Sequence, residues 1–331
     1  MNSIFSRTFK ALCAVCVAVL LTACGGASST IDAFRPTRII AFGDGFSYVD
    51  ANGYGLSTVR TNEVDNTIVG RIAARAGIVV KAVASNPLAA TGGFSCASPK
   101  ARVADVDSQI TAFLASAGGA VAKKDLIIIT VGNWDIYDAV MSGASVDTAS
   151  TNLVASVKRL TDAGAEHVVV MPAINMARTP WALTAPNGMS LVDIQKLSIT
   201  TSPLPSLTSF NFLLLSKLND VYKQDKKPVY LLDRSGDFNS FAGKFDTNGT
   251  TRILNVSGMS ITADTGLYVP VCPAATTRVS TDTTFAEGCA LPGTTEYLTY
   301  VFADDINLTP LANRFLADRM LAVLVNYGWL P

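Results

Sequence analysis

A chain of 331 residues that is 49% hydrophobic and only 16% charged can bury one sizeable core, which excludes a disordered, highly charged polypeptide. Its 26 basic residues balance 26 acidic ones, and this neutrality argues against a nucleic-acid partner, which demands a basic surface. No internal repeat is visible.

The first element is a targeting segment. Arg7 and Lys10 precede an apolar run over residues 11–21, shorter than the roughly 20 residues that span a bilayer, so residues 1–23 read as a signal peptide. The run ends in Leu21-Thr22-Ala23-Cys24, which resembles a bacterial lipobox. That resemblance implies cleavage before Cys24, a diacylglyceryl group on its thiol, and a membrane anchor that needs no spanning helix. An ordinary signal peptide cut near Ala23 is the other reading. Gly25 after the cysteine, where retention at the inner membrane would call for Asp, implies an exported, lipid-anchored protein at the outer membrane. Residues 24–36 then form the lipidated cysteine and a short tether, ahead of a single domain over 37–331.

Cys13 and Cys16 leave with the signal, so Cys96, Cys272 and Cys289 accompany Cys24 in the mature chain. An oxidising compartment allows a bridge, and of the three pairings Cys272–Cys289, across a Thr-rich stretch, is favoured. With a single His in the chain, no metal and no cofactor is expected.

Beyond the tether, short apolar runs at 38–42, 78–84, 126–131, 167–171 and 229–232 predict strands. Helical periodicity covers 63–76, 102–115, 146–163, 207–223 and 310–327, the last opened by Thr309 and Pro310. Such alternation predicts a mostly parallel sheet covered on both faces, a three-layer α/β/α sandwich of flavodoxin-like type. Its ligand face lies beyond the carboxyl ends of the strands. Residues 233–299, rich in Thr, Ser, Gly and Asn, predict an irregular insertion with β-like pieces at 251–256 and 266–271.

Four blocks stand at or near predicted strand ends or before the last helix: Gly43-Asp44-Gly45-Phe46-Ser47, Ala90-Thr91-Gly92-Gly93, Val131-Gly132-Asn133-Trp134-Asp135-Ile136, and Phe302-Ala303-Asp304-Asp305-Ile306-Asn307-Leu308-Thr309-Pro310. In this order, with Gln109-Ile110-Thr111-Ala112-Phe113-Leu114 and Met171-Pro172 between them, they resemble the GDSL (SGNH) family of lipases and esterases. The resemblance runs from about Arg38 to the C-terminus. It implies ester hydrolysis by a Ser nucleophile in the first block and a His base in the last, oriented by an Asp three residues earlier. It also implies an oxyanion site built from backbone N–H groups and an Asn side chain.

Carried over residue by residue, the pattern is broken at three positions. Gly45 stands at the nucleophile, Asn307 at the base, and Trp134 where the family places Asn, with Asn133 one position earlier; Asp304 is retained. Glycine supplies no oxygen, and an amide has no titratable group near neutral pH. The resulting expectation is a family member that has lost hydrolysis and binds an acyl, glycan or protein ligand. The oxygen of such a ligand would rest on Gly45, Gly92, Gly93 and Asn133, beside the Trp134 ring. The alternative is an active carboxylic-ester hydrolase with substituted residues, such as Ser47 or a water activated by Asp304. His167 begins a predicted strand at the wrong end for catalysis and reads as structural.

Overall fold

The computed structural model describes residues 34–50, 55, 67–83, 91–116, 121–199, 206–222, 228–242, 252–256, 259–263 and 301–331. The expected signal peptide, Cys24, the 24–33 part of the tether, Cys272, Cys289 and the β piece at 266–271 lie outside them.

Runs such as Ile-Ile-Ala-Phe and Leu-Ile-Ile-Ile carry no polar alternation, and a strand of that kind must be covered on both faces. The strands are β1 (Arg38–Gly43), β2 (Val80–Ala82), β3 (Gly92–Ser95), β4 (Asp125–Thr130), β5 (Val168–Met171) and β6 (Val229–Leu231). Every residue of β1, β4 and β5 is buried. The six form one wholly parallel sheet in the order β2-β3-β1-β4-β5-β6. An antiparallel hairpin, β7 (Arg252–Val256) with β8 (Met259–Ala263), stands apart from it in the predicted insertion.

The helices that connect the strands are α1 (Ile68–Arg75), α2 (Val103–Ser116), α3 (Asn133–Ser142), α4 (Val146–Asp162), α5 (Pro180–Leu183), α6 (Leu191–Ser198) and α7 (Phe210–Val221). After β6 come α8 (Ser235–Ala242) and α9 (Pro310–Asn326). Right-handed crossovers put a helix that leads leftward in the sheet on one face and those that lead rightward on the other. Accordingly α4 packs against both α2 and α7, while α9 packs on α1. The result is the expected three-layer sandwich. α9 starts as predicted: Thr309 accepts from the Ala312 N–H at 3.3 Å, and Pro310 occupies the first turn.

At the amino ends of β1 and β4, Arg38 donates to both carboxylate oxygens of the buried Asp125, with Nε to Oδ1 at 2.7 Å. Desolvating both charges makes the pair little net stabiliser; losing one partner, however, would strand the other. At the carboxyl ends, the strand order reverses around β1, which lies between β3 and β4. A crevice opens at such a switch point, and it is there that the first block turns.

One strand departs from the expected order. The neighbour of β1 is Gly92–Ser95, while the apolar run predicted over 78–84 contributes only Val80–Ala82, outside it at the sheet edge. A four-residue strand with two glycines carries no periodic signal, so its presence depends on pairing with β1.

Candidate functional site

The turn after β1 is held by its own side chains. Gly43 has φ +124°, and a Cβ there would lie 1.9 Å from Thr130 O, so the strand can close against β4 only with glycine. Gln109 braces the same residue, accepting from Gly43 N–H at 2.8 Å and donating to Gly43 O at 3.1 Å. Asp44 N–H donates to Thr130 O at 2.9 Å.

The Asp44 carboxylate faces inward. Its Oδ1 accepts from Phe46 N–H and from Thr130 Oγ1, each at 3.1 Å, and its Oδ2 accepts from Asn133 Nδ2 at 3.1 Å. Burial pushes its pKa up to about 7, against these three bonds, which favour the charged form. Ser47 is wholly buried, with its Oγ 2.9 Å from Thr130 Oγ1, and its carbonyl accepts from Ser95 Oγ at 2.8 Å. The hydroxyl two positions past Gly45 is thus part of the turn's internal scaffold. The Gly45 N–H donates to no group among the described residues.

Asn133 is the first residue of α3, after Gly132, whose φ is +123° and whose Cβ would strike the Phe210 ring at 2.4 Å. Its amide is a bracket: Nδ2 donates to Asp44, and Oδ1 accepts from Ile174 N–H at 3.1 Å. One side chain thereby joins the loops after β1, β4 and β5. Its neighbour Trp134 is 8% exposed, with Lys100 Nζ 5.3 Å and Arg102 Cζ 5.6 Å from the ring centroid. Tyr137 and Trp181 continue this aromatic row at 5.2 and 5.0 Å. Trp134 is packed rather than presented as an open stacking surface. Asp135 accepts from Val103 N–H at 3.1 and 3.2 Å, capping α2, and burial raises its carboxyl to about 6.

In the last block, Asp304 Oδ1 accepts from Ile306 N–H at 2.9 Å and Asn307 N–H at 2.6 Å, and Oδ2 accepts from Asn307 Nδ2 at 2.8 Å. Asp304 therefore orients residue 307 from three residues upstream. The same loop meets the segment after β5, where Trp181 N–H donates to Asp305 O at 3.2 Å. Burial, with the Asp304 charge beside it, raises the Asp305 carboxyl.

Gly92 and Gly93 are not brought to this end. They open β3 and pair with Arg38 and Ile39 at the start of β1, so at about 3.3 Å per residue they lie level with positions roughly 16 and 13 Å along the strand from Gly43. The expectation that they share a pocket with Gly45 is corrected accordingly. The segment that does reach the turn is 96–98, where Ser98 N–H donates to Gly43 O at 3.0 Å. Only the turn-forming composition of Ala97-Ser98-Pro99 pointed to it. Thr130 carries no motif in the sequence, and Gln109 is marked there only as part of a family-like block, without its bonds to Gly43.

His167 sits at the amino end of β5, stacked on Phe34 at 3.6 Å and edge-on to Trp329 at 4.8 Å. Burial lowers its pKa, and its buried Nδ1 has no hydrogen-bond partner. Cys96 is a free thiol, its pKa pushed up to about 12 by burial. Among the described residues, no cluster of three or more His, Cys, Asp or Glu side chains is placed to hold a metal ion.

The fold is similar in outline to solved structures, though at low identity. A lipolytic protein of the G-D-S-L family from Veillonella parvula shares 11% identity over 87% of this chain and 98% of its own, with a TM-score of 0.43. A lipase/acylhydrolase from Enterococcus faecalis shares 12% over 88% and 96%, with a TM-score of 0.40. No curated protein matches the chain. The family model described as GDSL-like lipase/acylhydrolase matches residues 39–320, spanning the first buried strand, the Asn133 bracket and the Asp304 loop, and the chain belongs to that family.

Proposed function

We propose that this protein is a non-hydrolysing member of the GDSL-like family that binds an ester, lipid or glycan ligand instead of cleaving it, on a chain anchored at the outer membrane through a lipidated Cys24. The observation that carries this reading is the pairing of Asn307 with Asp304 at 2.8 Å. The acid that would orient a histidine orients an amide, which takes up no proton near neutral pH. Two further observations support it. Gly45 has no side chain, and the nearby Ser47 hydroxyl is buried and bonded to Thr130 rather than beside a base. The chain's one imidazole lies at the amino end of the sheet. The Gly45 N–H, by contrast, donates to no group among the described residues, and this reading assigns it to a ligand oxygen although Gly45 is buried in the unliganded fold.

The test is an assay of the purified protein with short- and medium-chain p-nitrophenyl esters, together with labelling by a fluorophosphonate probe. Hydrolysis at the level of denatured protein, no labelling, and a melting temperature raised by an ester or glycan ligand are expected. Turnover above that background, abolished by Asp304→Ala or Ser47→Ala, would instead establish a hydrolase with substituted residues.

A further inference from the structure

The amino end of the sheet carries a feature the ligand site does not use. Five rings follow one another there. Phe34 stacks on His167, His167 meets Trp329 edge-on, Trp329 meets Tyr230 at 4.5 Å, and Tyr230 stacks on Tyr327 at 4.5 Å with 9° between planes. Phe34, His167 and Tyr230 are half-buried, Trp329 between them is 7% exposed, and Tyr327 at the far end is 52% exposed. At its open end lies a cleft of about 230 Å³, lined by Leu215 and Leu218 of α7, Tyr222 just past its end, Tyr230 and Tyr327. Leu215 of this lining is exposed, as are Val221 and Val325, which are close in sequence to Tyr222 and Tyr327. This cleft flanks β6, the edge strand of the sheet.

Phe34, the first ring in the row, is also the first described residue, and its N–H donates to Gly328 O at 2.7 Å. The chain therefore enters the domain beside the rings. Only residues 25–33 separate Cys24 from this point, and nine residues reach at most about 32 Å. Arg35, Lys123 and Lys124 are exposed at the same end of the sheet, with Glu166 paired to Lys123 at 3.4 Å. Tyrosine and tryptophan favour the headgroup level of a bilayer, and lysine and arginine favour anionic lipid.

We infer that the ring-lined amino end of the sheet, from Phe34 to Tyr327, is a docking face for the lipid bilayer, so that the Gly45 turn at the other end of the strands points away from the membrane. This rests on the lipid anchoring proposed above, and goes beyond it by assigning the face that the anchor presses to the bilayer. The ligand site is then open to molecules in the aqueous space and not to lipid in the anchoring membrane.

The experiment takes the full chain, expressed in a bacterium, purified from membranes and reconstituted in phosphatidylethanolamine–phosphatidylglycerol vesicles. Mass spectrometry reads the state of Cys24, and hydrogen exchange is compared with that of Cys24→Ala protein in solution. Acylated Cys24 is expected, with exchange slowed severalfold over Val229–Leu232 and Val323–Trp329 and unchanged over Asp44–Tyr48 and Ala303–Leu308. Tyr327→Ser, an exposed position, should abolish most of that slowing. Acylated Cys24 with slowing at the Gly45 end, with none at either end, or only in vesicles carrying native membrane proteins, would overturn the docking face and leave the anchor standing. An unmodified Cys24 would overturn the anchor and the docking face together.

Discussion

Asn307 offers its side-chain amide to Asp304 Oδ2 at 2.8 Å, while two backbone N–H groups hold Asp304 Oδ1. The loop before α9 thus keeps a carboxylate fully employed in orienting residue 307, although the group it orients is not a base.

Supplying a hydroxyl and an imidazole at the two positions is the direct check of the proposed function. Gly45 is not in the left-handed φ region, so a serine there meets no φ penalty, and a histidine at 307 would meet Asp304. Gly45→Ser with Asn307→His should hydrolyse p-nitrophenyl acetate at least about a hundredfold faster than the parent, because nucleophile and base act as a unit. Each single variant should stay near background. A parent protein as active as the double variant would remove the basis for the comparison.

The buried carboxyls predict a pH dependence with a definite sign. Asp44 is raised by burial from 3.8 to about 7, and Asp135 from 3.8 to about 6. The folded state holds these protons more tightly than the unfolded chain, so both groups weaken the fold as pH rises through that interval. The loss runs at up to about 1.4 kcal/mol per pH unit for each group, is complete above the folded value, and is absent below the unfolded one. Urea midpoints between pH 4 and 8 should therefore fall less steeply for Asp44→Asn than for the parent. Parallel curves would show that Asp44 does not titrate there.

The Asn133 bracket predicts a stability cost. Asn133→Ala leaves Asp44 Oδ2 and the Ile174 N–H without their partner, which costs about 1–3 kcal/mol for a buried polar group. Asn133→Asp should cost more at pH 8 than at pH 4, because it sets a second carboxylate against Asp44. Chemical denaturation at the two pH values measures both, and an unchanged midpoint for the alanine variant would show that the three loops do not depend on this amide.

His167 is predicted to be dispensable for chemistry. His167→Phe keeps a ring against Phe34 and Trp329 and removes an unpartnered buried nitrogen. Its unfolding free energy should stay within about 1 kcal/mol of the parent or rise. Added to Gly45→Ser/Asn307→His, it should leave ester turnover unchanged. A collapse of turnover there, with the fold intact, would assign His167 a part in the site.

Much of the fold was legible because a parallel sheet buried on both faces writes itself as uninterrupted apolar runs. β1, β4 and β5 fall within a residue or so of the predicted spans, and α9 begins at its predicted cap. α3 was not legible, since Asn133-Trp134-Asp135-Ile136 reads as a continuation of the strand before it. Its start depends on Gly132 turning the chain against Phe210, a residue 78 positions away in sequence.

What the sequence determined by itself is which groups are absent. No fold can place a hydroxyl on Gly45 or an imidazole on Asn307, and the family blocks are recognisable in order along the chain. What only the tertiary structure decided is direction and employment. Pairing Gly92 with Arg38 sends Gly92 and Gly93 to the far end of the sheet, and the meetings of Ser47 with Thr130 and of Asn133 with Asp44 and Ile174 turn reactive-looking groups into braces. Composition is a local property of the chain. The end of a sheet a residue reaches, and whether its polar atoms are already bonded, depend on register between segments 40 to 90 residues apart.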